Sequence, residues 1–222
     1  MSLVLLRRLS EALSSEVGEG TAAVIISGVD GSFSAGADLD DLTGTLADLA
    51  MDDAIEEVTG KILALPVPVI AAIDGPCMGG AVDLALSCDH RIASEDAIFH
   101  VPAARLGLLY NPRSVVRMQR RLGRDAVFRM LVLGERLDAD AALLAGIVSS
   151  VVNGVSYEAA QAIALSTDGN FLPAVTATKR LLNAIDAPGY DPAEWEALRR
   201  EMLSSPERRA AVVREKKRRG RQ

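Results

Sequence analysis

The chain has 222 residues, a formal net charge of −6, 49% hydrophobic and 24% charged residues, and two cysteines. That balance fits one large globular domain, or one with a small appendage, and excludes disordered and fibrous chains. No apolar run approaches the ~20 residues that span a bilayer, the N-terminal Leu-Val-Leu-Leu is too short for a signal peptide, and Cys77 and Cys88 lack disulfide-framework or zinc spacing; a cytoplasmic protein with two buried thiols is expected.

Leu5, Leu9, Leu13 and Val17 recur at helical spacing, so the sequence opens on an amphipathic helix ended by Gly18 and Gly20. Residues 22–27 read as a buried strand, and the small-residue stretch from Gly28 to Asp38 as a loop. Residues 38–57 carry eight acids and no base, and run into a helical stripe of Ile55, Val58, Ile62 and Leu65 that Pro66 stops.

Residues 67–73 form a continuous apolar run, the pattern of a strand covered on both faces. Asp74-Gly75-Pro76 signals a turn, and Ala81, Val82, Leu84, Ala85 and Leu86 suit a helix starting near Gly80. Strand, glycine turn and helix start bring free backbone N–H groups and the positive end of a helix dipole to one place. Such a place binds an anion or stabilises an oxyanion, and the earlier strand and glycine loop lead into a helix in the same way.

Short strands are expected at residues 91–93, 97–101 and 148–152, and helices at 114–122, ended by Gly123, and 138–145, ended by Gly146. From Ser156 onward the pattern is helical, over 156–166, 173–185, 191–203 and 206–217. The class is therefore α/β, with an alternating core over residues 1–155 and a helical region over 156–222. Residues 199–222 hold ten Lys or Arg against three Glu. Without interleaved aromatics this reads as a solvated helix end or a clamp for a ligand's phosphates, not a nucleic-acid surface.

Two ordered motifs carry a resemblance. Ser27-Gly-x-x-x-x-Phe-Ser-Ala-Gly-Ala-Asp-Leu39 is followed by Pro66-Val-Pro-Val-Ile-Ala-Ala-Ile-Asp-Gly-Pro-Cys-Met-Gly-Gly-Ala-Val-Asp-Leu-Ala-x-x-Cys-Asp-x-Arg91. With Pro102-Ala-Ala-Arg-Leu-Gly107 and Leu133-Gly-x-x-Leu-x-Ala-x-x-Ala-x-x-x-Gly-Ile-Val148, the sequence resembles the crotonase family, also called enoyl-CoA hydratase/isomerase. The resemblance implies a ββα spiral core followed by a C-terminal helical trimerisation region, a homotrimer or dimer of trimers, and an acyl-CoA thioester ligand. It implies no cofactor beyond the coenzyme A of the substrate, and no membrane or nucleic-acid partner.

Transferred by motif position, the N–H groups of Ala37 and Gly80 hold the thioester oxygen. Ser34, Ala35, Asp38 and Leu39 from the first loop, with Met78 and Gly79 from the second, contact the substrate, and Ala103 and Tyr110 face it further along. The departures are equally informative. Hydratases of the family use two glutamates; the first position here is Asp83 and the second is Ala103. Asp83 is then the sole acid/base of an enzyme working through an enolate, although an acid at a helix start also satisfies N-terminal N–H groups. A non-catalytic acyl-CoA-binding homologue is the alternative that Ala103 fits equally. His90, His100 and Arg105 read as structural, and no residue set suggests a metal site. Family members open with a β-hairpin and an Arg-Pro…Asn-Ala-Leu segment; this sequence starts within the helix that follows them.

Overall fold

Strand β2 (Val69–Ile73) is buried along its whole length, so it needs partners on both edges and cover on both faces. The computed structural model, which describes residues 1–18, 20–38, 42–167, 169–185, 187 and 189–220, supplies them. β1 (Val24–Ser27) and β4 (His90–Ser94) pair parallel with β2 on either side, and β7 (Ser150–Val152) continues the sheet parallel to β4. Side chains alternate along a strand. Ile70 and Ala72 accordingly face helix α6 (Ser156–Ser166) with Ala160, while Val69, Ala71 and Ile73 enter the main core.

That core is closed by α1 (Leu3–Ser15), α2 (Leu49–Ala64) and α3 (Gly80–Ser87), packed in series. The buried face of α1 is Leu6, Ser10 and Leu13, not the expected Leu5–Leu9–Leu13 stripe. Ser10 can lie inward because its hydroxyl is bonded, receiving Lys61 Nζ at 2.6 Å across the α1–α2 contact.

A second, smaller sheet begins where a turn was expected, at residues 76–78, and takes in the strand expected at 97–101. β3 (Pro76–Met78) pairs parallel with β5 (Ile98–His100), and β5 pairs antiparallel with β6 (Leu137–Asp138). Gly75 joins β2 to β3 with φ +56, and a Cβ there would lie 2.2 Å from the carbonyl oxygen of Gly31. A left-handed non-glycine residue already costs about 1–2 kcal/mol. Gly75→Ala is expected to lower stability by at least that amount in urea melts; an unchanged midpoint would contradict the close approach of the two loops.

Helix α4 (Pro112–Leu131) starts on Asn111, whose side chain accepts from Arg113 N–H, and breaks helical geometry at Gly123 (φ 77, ψ 169). The helix expected to end there resumes and runs to Leu131. α5 (Ala139–Leu144) is capped by Asp138, and α6 by a distant residue: Ser156 N–H donates to Asp74 Oδ1 at 3.0 Å. That cap and the Ile70–Ala72–Ala160 cluster make α6 part of the core, so the first compact unit is Met1–Asp168 rather than ending at residue 155.

The second unit, Gly169–Gln222, holds α7 (Leu172–Ala184), α8 (Pro192–Ser204) and α9 (Pro206–Arg219). Its charges include the exposed pairs Glu196–Arg200 and Glu215–Arg219 at i,i+4 spacing, which solvent screens and which add little to stability. Among the described residues no helix is long and apolar enough to cross a membrane.

Candidate active site

Two backbone segments run side by side beyond the main sheet. Ser34 and Cys77 form a parallel bridge, with Ser34 N–H donating to Pro76 O at 2.8 Å and Met78 N–H to Ser34 O at 2.9 Å. Gly36 (φ +94) packs against Met78, where an added Cβ would come within 3.4 Å of the Met78 backbone oxygen. Ala37 and Gly80 each stand three residues past the bridged pair. The register of one bridge thus brings both expected donors to the same end of the sheet.

α3 begins at Gly80, and its N-cap, Gly79 (φ 59, ψ −128), contributes no side-chain cap. The first N–H groups of a helix have no acceptor within it, so the donor end of α3 and its dipole are directed at whatever occupies the adjoining space. Gly80 also admits α2: a Cβ there would lie 2.4 Å from Ile55 Cδ1.

The adjoining space is a cleft of about 630 Å³. Ala35, Ala37, Met78, Gly79 and Gly80 form one wall, Asp48, Asp52 and Ile55 another, and His100, Ala103, Tyr110 and Ser114 a third. Leu46, Leu49, Leu106 and Leu108 line it while remaining exposed, giving it an apolar mouth.

Of the residues expected at the site, Ala35, Ala37, Met78, Gly79, Gly80, Ala103 and Tyr110 therefore meet around one space. Ser34 and Asp38 are not among its lining residues. Ser34 is held in the bridge, its hydroxyl accepting from Gly36 N–H at 3.2 Å, and Asp38 is exposed. Leu39 lies outside the described residues.

The expectation for Asp83 needs correction. It is completely buried and does not line the cleft. Its carboxylate accepts from Ser114 Oγ at 2.6 Å and from Arg117 Nη2 at 2.7 Å, both on α4. The fourth residue of α3 points toward the α3–α4 contact, whereas the first residue opens on the cleft. Burial pulls the Arg117 guanidinium down, but its bonds to Glu56 and Asp83 outweigh this and leave it above its ordinary value. Asp83 is one half of a buried ion pair.

Other ionisable groups face the cleft instead. Asp48 accepts from Thr43 Oγ1 at 2.7 Å, Thr43 N–H at 2.8 Å and Gly44 N–H at 2.9 Å; the Thr43 hydroxyl foremost, with these backbone donors, holds its carboxyl low. Asp52, one turn further along α2, is pushed up by burial and then by the charges of Asp53 and Asp48. Tyr110 donates to Gly79 O at 3.4 Å, and burial, with Asp83 and Asp52 nearby, keeps its phenol protonated. His100 was expected to be structural, and it is among the residues that line the cleft. Burial, then Arg136 and Arg105, push it down, and its Nε2 is buried with no hydrogen-bond partner among the described residues. Sequence reasoning missed Asp52 because an acidic helical stretch does not reveal which acid turns inward; its i,i+3 spacing to Ile55 was the available signal.

Residues 1–187 match the family described as enoyl-CoA hydratase/isomerase. A segment of 161 residues, 72% of this chain, is 37% identical to the human peroxisomal bifunctional enzyme, of which it spans 22%. The Mycobacterium leprae protein named "Probable enoyl-CoA hydratase echA6" is 33% identical over 183 residues, 81% of this chain and 72% of its own length. A solved structure of an enoyl-CoA hydratase/carnithine racemase from Magnetospirillum magneticum superposes with a TM-score of 0.86 at 28% identity, over 97% of this chain and 84% of that one. The paired glycine loops and the α/β core with its C-terminal helices are the crotonase fold, and the chain belongs to the enoyl-CoA hydratase/isomerase family.

Proposed function

We propose that the protein is an acyl-CoA thioester enzyme of the hydratase/isomerase type, in which the N–H groups of Ala37 and Gly80 hold the thioester oxygen as an enolate forms. The observation that carries this reading is the bridged pair of loops ending at an uncapped helix start on an apolar cleft. Two donors aimed at a developing oxyanion supply several kcal/mol of stabilisation in a site shielded from water. Ala35 and Met78 lie beside them on the same wall, and the apolar mouth suits an acyl chain. A homotrimer or dimer of trimers belongs to the same reading, supported by apolar side chains left exposed on the C-terminal helices, among them Leu182 and Ile185.

Calorimetric titration with hexanoyl-CoA tests the binding half and turnover of crotonyl-CoA and 3-hexenoyl-CoA the catalytic half. Saturable binding with turnover of at least one enoyl thioester is expected. Binding without turnover would instead establish a non-catalytic acyl-CoA-binding protein, a reading favoured by Ala103 and by the withdrawal of Asp83 from the cleft. No binding at millimolar thioester would overturn both.

A further inference from the structure

The cleft has an oxyanion-holding wall but receives no carboxylate from either expected position, since residue 103 is alanine and Asp83 is shut behind Ser114 and Arg117. Among the described lining residues the carboxylates are Asp48 and Asp52. They differ in what holds them. Asp48 is engaged three times by the 43–44 loop and serves to shape it. Asp52 accepts no hydrogen bond from the described residues, and burial and neighbouring charge act on it instead.

Its position is fixed by its neighbours. Residues three apart share a helix face, and the residue three beyond Asp52 is Ile55, whose Cδ1 abuts Gly80. Opposite stands Tyr110, which bonds the carbonyl of Gly79 and senses the charge of Asp52. Resting on the thioester reading above, we infer that Asp52 is the proton-transferring residue of this chain, and that the reaction it serves is isomerisation of a 3-enoyl thioester to the 2-enoyl thioester.

The chemistry needs one carboxylate and no water. Asp52 takes a proton from C2, and the electron pair of that C–H bond spreads into a dienolate whose oxygen rests on the Ala37 and Gly80 N–H groups. Asp52 then returns the proton at C4, the double bond settles between C2 and C3, and the carboxylate is regenerated. Hydration would require a second group to hold and deprotonate water, and Ala103 offers none. The two cleft carboxylates are driven in opposite directions, Asp48 toward ionisation and Asp52 toward greater basicity; separation of this kind assigns distinct roles to two acids in one site.

The test uses the full chain with 3-hexenoyl-CoA, following the absorbance of the conjugated product, together with solvent deuterium exchange at C2 and calorimetric binding of hexanoyl-CoA. In Asp52→Asn, isomerisation and exchange should fall by about 10²–10⁴-fold with hexanoyl-CoA affinity retained, and Asp52→Glu should restore part of the loss. The melting temperature of Asp52→Asn should hold or rise. An acid whose pKa is raised by folding is destabilising once pH exceeds that value, and asparagine removes the charge. Unchanged exchange in a folded, thioester-binding Asp52→Asn would overturn the inference. So would loss in His100→Gln in its place, or a parent that binds hexanoyl-CoA but neither isomerises nor exchanges. A parent that does not bind hexanoyl-CoA would fail at the thioester reading itself.

Discussion

Gly80→Pro, made in an Ile55→Val background, is expected to lower thioester turnover by about 10²–10³-fold relative to Ile55→Val alone. Gly80 is the first residue of α3. Proline is tolerated at that position because its missing N–H would have had no acceptor in the helix and its fixed φ suits the first turn. The substitution therefore removes one donor of the proposed oxyanion pair while leaving the helix its start. The obstacle is steric: a Cβ at residue 80 would meet Ile55 Cδ1 at 2.4 Å and Met1 Cε at 3.3 Å. Ile55→Val deletes the nearer atom at about 0.5–1.5 kcal/mol, which the single variant measures by itself. A second readout is independent of turnover. The carbonyl stretch of bound hexanoyl-CoA should lie at lower frequency in Ile55→Val than in the double variant, because a polarised C=O bond is weaker. Equal turnover and an equal carbonyl shift in the two proteins would remove Gly80 from the oxyanion site.

Much of this site was legible in the chain, and the boundary of what was legible has a physical form. The run from Val67 to Leu86 gave strand, turn and helix because full burial and glycine content are local properties. The meeting of the two glycine loops at the start of α3 followed, since it is made of backbone and depends on where a helix starts. Side-chain direction is a different matter. Asp83 was correctly placed on a helix, yet its partner Arg117 lies 34 residues further along, and nothing local says that α4 rather than the cleft faces it. Asp52 was passed over for the converse reason: eight acids in a row of twenty residues look like a solvated face until α3 is packed against one side of it. Gly123 misled in a third way. Its φ of 77 is a true break, but the chain beyond it re-enters a helix because Ala126, Val127 and Met130 have a core to join.

Arg117→Met is expected to be among the most destabilising single changes in the first unit. Asp83 has no exposure and Arg117 a side-chain exposure of 16%, and the guanidinium also reaches Glu56 Oε1 at 3.0 Å and Ser114 Oγ at 3.1 Å. Removing it leaves a buried carboxylate with the Ser114 hydroxyl as its remaining side-chain donor among the described residues, and with Glu56, of like charge, close by. Breaking one side of such a pair costs about 3–5 kcal/mol, because the remaining charge keeps its desolvation penalty and loses its compensation. In a unit of this size that is about 6–20 °C in melting temperature. Asp83→Asn should lose less, since the amide oxygen still accepts a bond, and Arg117→Met made on Asp83→Asn should cost less than Arg117→Met made on the parent, the signature of coupled partners. The cycle also decides between structure and chemistry for Asp83. Well below its melting temperature, Asp83→Asn should still exchange the C2 protons of a bound thioester at a rate near the parent's. Exchange abolished in an Asp83→Asn protein that melts like the parent would instead return Asp83 to the reaction, and would require its carboxylate to leave Arg117 when substrate binds.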